Sequence, residues 1–111
     1  MYLDANFFIF GVTGTDKRAS AIRKILRDII EVRKAFTSSL TIDEVMWVLT
    51  KNKQKALVRR VVEEIYSTKN LEIKEVSSLI PLRALDFMEE YGLKPRDAFH
   101  LAVMEEFGIT E

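Results

Sequence analysis

The chain has 111 residues, no cysteine, one histidine, 48% hydrophobic residues and 17 basic side chains against 17 acidic ones. A chain of this size buries roughly two-thirds of its unfolded surface, so one soluble globular domain over residues 1–111 is expected. The absent cysteines exclude a disulfide scaffold, a thiolate zinc site and a cysteine nucleophile, and they suit a cytoplasmic setting. The longest apolar run, residues 45–49, is too short to span a membrane, and the start Met-Tyr-Leu-Asp lacks the basic head of a signal peptide.

In chain order, residues 1–3 read as a short buried strand ending in Asp4, and residues 7–10 as a short apolar turn. After a loop over residues 11–15, Ala19, Ile22, Leu26, Ile29 and Ile30 recur at helical spacing to about Lys34, with basic residues on the other face. Residues 36–40 form a second strand candidate. Thr41-Ile42-Asp43-Glu44 then opens a helix through Val45, Val48 and Leu49. In the next helix Leu57, Val58, Val61, Val62 and Ile65 mark the buried side, and the polar cluster at 67–70 stops it.

Residues 71–74 alternate as a strand. From Ser77 or Ser78 a further helix carries Leu82, Leu85, Met88 and Tyr91 inward and ends at Gly92; Pro95 opens a last helix with Ala98, Leu101 and Ala102 on its apolar stripe, ending at Gly108. Strands separated by helices predict an α/β domain whose parallel β-sheet is flanked by helices.

The zero net charge is split along the chain. Residues 1–60 hold 12 basic and 6 acidic side chains, net +6, and residues 61–111 hold 5 and 11, net −6. The excess lies in Lys17, Arg18, Arg23, Lys24, Arg27, Arg33 and Lys34, then in Lys51, Lys53, Lys55, Arg59 and Arg60. Such a stripe can track a phosphate backbone, or it can be the solvated faces of two helices.

Three acids recur at one kind of position: Asp4 after the first strand, Glu44 in the first turn of the helix after the second, and Asp97 in the first turn of the last helix. In a parallel sheet, strand ends and the helix starts that follow them line one crevice, so these carboxylates can converge. Carboxylates without thiolates select a hard cation, Mg²⁺ or Mn²⁺. Each acid also has a local reading: Glu44 as the far end of a capping box, Asp97 as a dipole partner, Asp4 as a cap of the next turn. His100 reads as a packing residue within reach of a phosphate, and Trp47 as core or interface before base-stacking platform.

The segments Met-Tyr-Leu-Asp-Ala-Asn-Phe-Phe-Ile at 1–9, Ser-Leu-Thr-x-x-Glu-Val at 39–45 and Leu-Lys-Pro-Arg-Asp-Ala-Phe-His-Leu-Ala at 93–102 resemble the PIN-domain nucleases, including the VapC-type toxins. The resemblance covers almost the whole chain. It implies a Mg²⁺- or Mn²⁺-dependent endoribonuclease acting on single-stranded RNA, with Asp4, Glu44 and Asp97 as metal-binding catalytic acids. Asn6 and Thr41 match polar positions beside the site; the basic excess of residues 1–60 adds Lys17, Arg18, Lys51 and Lys53 as a rim that would hold the RNA backbone. The implied setting is a toxin of a toxin–antitoxin pair, with an antitoxin protein and a second copy of the chain in a homodimer as partners. A stand-alone RNA-processing nuclease and a catalytically inactive module that binds RNA or protein are the alternatives. The family pattern continues after a Gly-Ile such as Gly108-Ile109 into a last strand near a fourth acid, whereas the sequence stops at Glu111; the final strand reads as truncated.

Overall fold

The fold is that of a computed structural model, which describes residues 1–13, 20, 24, 27, 28, 31 and 34–110. The elements are α1 (Ala5–Thr13), β1 (Ala35–Ser38), α2 (Ser39–Lys51), a 3₁₀ turn (Lys55–Leu57), α3 (Val58–Tyr66), β2 (Leu71–Lys74), α4 (Ile80–Tyr91) and α5 (Pro95–Glu106). The apolar positions expected of a helix before Lys34, together with Lys17, Arg18, Arg23, Arg33, the loop residues Gly14 and Thr15, and Glu111, lie outside the described residues.

β1 and β2 pair in parallel, with Ala35 opposite Leu71 and Ser38 opposite Lys74. Residues 1–3 lie along the other side of β1. The Leu3 amide donates to Phe36 O and the Phe36 amide to Met1 O, with a parallel bridge between Tyr2 and Phe36. Parallel neighbours need a crossover, and α2 and α3 provide it between β1 and β2. The expected α/β architecture, a parallel sheet flanked by helices, is what the chain adopts.

Alternation along the strands divides the core. Leu3 and Ala35 are buried with Phe7, Phe8 and Leu71 against them. Leu71 and Ile73 also pack on the cluster of Ala5, Ile42, Val45, Leu49, Val61 and Ile65, where α1, α2 and α3 meet. Tyr2 instead packs on the cluster of Ile80, Ala84, Phe87, Ala98, Ala102 and Val103 between α4 and α5. Successive strand residues thus serve opposite faces. The Thr37 hydroxyl donates to Leu3 O at 2.8 Å and is satisfied although fully buried.

Four expectations need correction. The apolar stretch at 7–10 belongs to a nine-residue helix, because Asp4 caps it: the Phe7 amide donates to Asp4 Oδ1 at 3.2 Å. The second strand ends at Ser38 and α2 begins at Ser39, since Ser38 is its N-cap and accepts from the Thr41 amide. α4 begins at Ile80 rather than at Ser77 or Ser78, with Pro81 in its first turn. Leu82, Leu85 and Tyr91 point outward, being 64%, 50% and 59% exposed, while Ile80, Ala84 and Phe87 are buried. Ala84, Ala98 and Ala102 are small, so α4 and α5 approach closely along that other stripe. Gly92 closes α4 at φ 67°, the left-handed position a glycine takes without strain.

Ion pairs hold the rim. Arg83 grips Glu105 with Nε and Nη2 at 2.6 and 2.7 Å, tying α4 to α5. Hydrogen bonds from Lys34 and then from Lys74 pull the Glu72 carboxyl down to about 2 from an ordinary 4.5. A depressed carboxyl stabilises the fold above its unfolded pKa, and that contribution disappears as pH falls toward the folded value. Glu72 is solvated, so the effect is small. In acid titrations followed by thermal melting, the gap between the native chain and Glu72→Gln should be open above about pH 4.5 and closed near pH 2. A gap that persists unchanged to pH 2 contradicts this reading.

Candidate functional site

The C-terminal ends of the parallel strands and the helix starts beyond them gather the polar residues. Tyr2 lies in the first strand-like segment, and its side chain crosses to the α4–α5 side. Its hydroxyl is 2.7 Å from Ser38 Oγ, 3.3 Å from Thr41 Oγ1 and 2.6 Å from His100 Nδ1. The other ring nitrogen, His100 Nε2, is 2.5 Å from Glu44 Oε1. One continuous chain of hydrogen bonds therefore joins the first strand, the end of β1, α2 and α5.

Its direction follows from the donors available. An ionised carboxylate only accepts, so Nε2 carries a proton and donates to Glu44. In the neutral ring Nδ1 then accepts, and the Tyr2 hydroxyl is the donor that faces it. Ser38, whose oxygen is occupied by the Thr41 amide, keeps its own proton for the Tyr2 oxygen. Burial raises the Tyr2 pKa, while the Ser38 and Thr41 hydrogen bonds lower it and the negative charges of Glu44 and Asp4 raise it further. The phenol accordingly stays protonated and able to donate.

Asp4 and Glu44 both act on the Tyr2 hydroxyl electrostatically and so share one neighbourhood. Asp4 is exposed and caps α1. Glu44 is only 14% exposed and reaches across to α5 instead of folding back as the end of a capping box. Asp97 is exposed in the first turn of α5, three residues before His100, on the same helix face. Asn6 is exposed in the first turn of α1, and Thr41 is fully buried against Tyr2.

Among the described residues, no three of the Asp, Glu and His side chains stand together as a ready ligand shell. The donor chemistry nevertheless fits a hard cation: carboxylate oxygens, no thiolate, and two of the three acids open to solvent. His100 occupies one oxygen of Glu44 and leaves the carboxylate its second.

Of the basic residues, Lys51 and Lys53 are exposed at the end of α2, Lys51 with its Nζ 4.8 Å above the Trp47 ring. Arg59 and Arg60 pair with Glu63 and Glu64 one turn on, so part of the basic stripe is an ordinary solvated helix face. Trp47 is 53% exposed, which removes it from the core.

Sequence reasoning passed over Tyr2 and Ser38 and read His100 as a packing residue within reach of a phosphate, not as a partner of Glu44. The available signal was the position of the one histidine, a single helical turn beyond Asp97.

A strand-end aspartate, a glutamate in the first turn of the next helix and an aspartate in the first turn of the last helix thus sit at strand ends and helix starts of one parallel α/β fold. The PIN domain model matches residues 1–111, and the chain belongs to the PIN-domain family, a family of nucleases. The fold is similar to that of the Mycobacterium tuberculosis toxin VapC20, described as cleaving the sarcin–ricin loop, with a TM-score of 0.73 at 17% identity, covering 97% of this chain and 83% of that one. A comparison with curated proteins returns no significant match.

Proposed function

We propose that the chain is a Mg²⁺- or Mn²⁺-dependent endoribonuclease that cleaves single-stranded RNA, with Asp4, Glu44 and Asp97 as its metal-binding catalytic acids. The observation that carries this reading is the hydrogen-bonded chain that holds Glu44 to His100, one turn from Asp97, while Asp4 and Glu44 share the surroundings of the Tyr2 hydroxyl.

A bound divalent ion supplies water activation and charge neutralisation at the scissile phosphate. The chain's own part is placement. Ser38 and Thr41 hold Tyr2, Tyr2 holds the His100 ring, and His100 orients the Glu44 carboxylate. Asp4 and Asp97 are exposed, one capping α1 and the other in the first turn of α5. Thr41 bonds to Tyr2, Asn6 lies two residues from Asp4, and the exposed Lys51 and Lys53 would meet the RNA backbone.

The family and the VapC20-like fold support a cytoplasmic toxin of a toxin–antitoxin pair as the biological setting, with an antitoxin segment covering the acidic crevice. The exposed Leu82 and Leu85 on one face of α4 support a homodimer, since large apolar side chains grouped on a helix face are covered by another protein surface more often than left to water.

The test is cleavage of an unstructured oligoribonucleotide followed on a gel. Cleavage should appear with Mg²⁺ or Mn²⁺ and vanish in excess EDTA; products that accumulate equally in EDTA overturn the proposed metal dependence.

A further inference from the structure

The one tryptophan of the chain sits in an unusual place for its size. Trp47 is 53% exposed on α2, three residues beyond Glu44 and therefore on the same helix face. Two cations from different helices face its ring: Lys51 Nζ at 4.8 Å from the same helix, and Arg96 Cζ at 6.0 Å from the start of α5. Arg96 is the immediate neighbour of Asp97. An exposed indole with two cations near its ring thus stands one helical turn from Glu44 and beside the neighbour of Asp97.

A local explanation covers half of this. Lys51 lies four residues after Trp47, and such a pair steadies a helix by covering the ring. It gives no reason for the second cation from α5, nor for an exposed indole beside the acids. A protein partner is disfavoured at this spot, because an apolar partner would have to strip water from both Lys51 and Arg96. A single-stranded polyanion neutralises both cations while its bases offer flat faces to the indole. The more apolar surface on α4 is the better candidate for protein contacts.

We propose that Trp47, flanked by Lys51 and Arg96, is a stacking platform for one unpaired base of a single-stranded RNA whose backbone runs across the acidic site. The proposal rests on the nuclease reading and adds to it the element that holds the strand. Stacking makes the platform tolerant of sequence and intolerant of a missing base. The two cations contribute through phosphate contacts, which weaken with salt.

The experiment uses the full chain in excess EDTA, so that binding is read without cleavage. The emission of the one tryptophan is followed during titration with 3′-fluorescein oligo(rA) and with an abasic oligoribonucleotide of equal length, while fluorescein anisotropy reports binding independently. Oligo(rA) should quench Trp47, and the abasic strand should bind more weakly without quenching. Trp47→Ala should weaken oligo(rA) binding by about 5- to 150-fold, with Trp47→Phe between the two. Lys51→Ala and Arg96→Ala should each flatten the logarithmic salt slope by about 0.7.

Binding without quenching, full affinity in Trp47→Ala, or no binding of either strand overturns the proposal. So does a concentration-dependent blue shift in RNA-free protein that RNA leaves unchanged, which assigns Trp47 to a protein contact. Cleavage with Mn²⁺ is scored separately: cleavage without quenching removes the platform and keeps the nuclease, while quenching without cleavage does the reverse.

Discussion

Asp4→Asn and Asp97→Asn should each reduce metal-dependent cleavage by more than about a hundredfold, beyond the effect of losing a residue that only supports a ligand, while melting within a few degrees of the native chain. The Asp4 substitution is the cleaner of the two because this aspartate has a visible structural duty. Its Oδ1 accepts the Phe7 amide at the start of α1. Asparagine is as good an N-cap as aspartate, so the bond and the helix survive. What disappears is a negative charge and an anionic ligand oxygen. If capping were the whole role of Asp4, Asp4→Asn would cleave RNA at the native rate. Asp4→Ala gives the converse control, because it removes both duties and should also cost about 1 kcal/mol of stability.

Asp97 sits in the first turn of α5, where the helix dipole favours a negative charge by about 0.3–1 kcal/mol. Asp97→Asn forfeits that modest term, and a melting curve detects it. A large loss of cleavage beside a small shift in melting separates a ligand from a dipole partner. Native rates in both variants would remove the carboxylates from the mechanism.

The places of the three candidate acids in the fold were legible because each follows a strand or opens a helix, and those local positions are marked in the sequence by Leu3-Asp4, Thr41-x-x-Glu44 and Pro95-Arg96-Asp97. The chain of hydrogen bonds from Glu44 through His100 to Tyr2 was not. His100 and Glu44 are 56 residues apart, and Tyr2 and His100 are 98 apart, so nothing in either local segment shows that they meet. The capping-box pattern at Thr41 pointed Glu44 back along its own helix. Ser38 had already taken the cap, which freed the glutamate to reach α5. Three hydroxyl residues in the stretch Ser38-Ser39-Leu40-Thr41 offered equivalent caps by composition, and only the end of β1 selects among them.

The error on α4 has a different cause. Two apolar stripes run along this helix: Leu82 and Leu85 on one, and Ile80, Ala84 and Phe87 on the other, with Tyr91 stacked on Phe87 at its exposed end. Hydrophobicity favours the first, because leucine offers more surface to bury than alanine. Packing favours the second, because the facing stripe of α5 is Ala98, Ala102 and Val103, and small residues let two helices come close. Close approach won, and the larger side chains were left outside. The misread turn at residues 7–10 follows the same logic on a smaller scale: four apolar residues have no distinctive period, and the Asp4 cap decided for helix.

His100→Ala should lower both Mn²⁺ affinity and cleavage by about 10- to 100-fold, the usual cost of losing the partner that orients a ligating carboxylate. His100 touches Glu44 Oε1 and Tyr2 rather than any reacting atom, so it is a positioning residue. Its removal frees Glu44 to rotate and leaves the Tyr2 hydroxyl without its acceptor. His100→Gln should recover much of the loss, since its amide can still donate toward Glu44. Tyr2→Phe should produce a milder version of the same defect, with about 1–3 kcal/mol of destabilisation because Nδ1 loses its donor in a partly buried site. Calorimetric titration with Mn²⁺ in the absence of RNA reads the ligand effect apart from catalysis. The chain has one histidine, so ring ¹⁵N spectra report this link without assignment. In Tyr2→Phe the Nδ1 resonance should move, while Nε2 keeps the signature of its bond to Glu44. An Mn²⁺ affinity that rises in His100→Ala would mean that His100 competes with the ion for Glu44, and an unchanged affinity would reduce the whole chain of hydrogen bonds to packing.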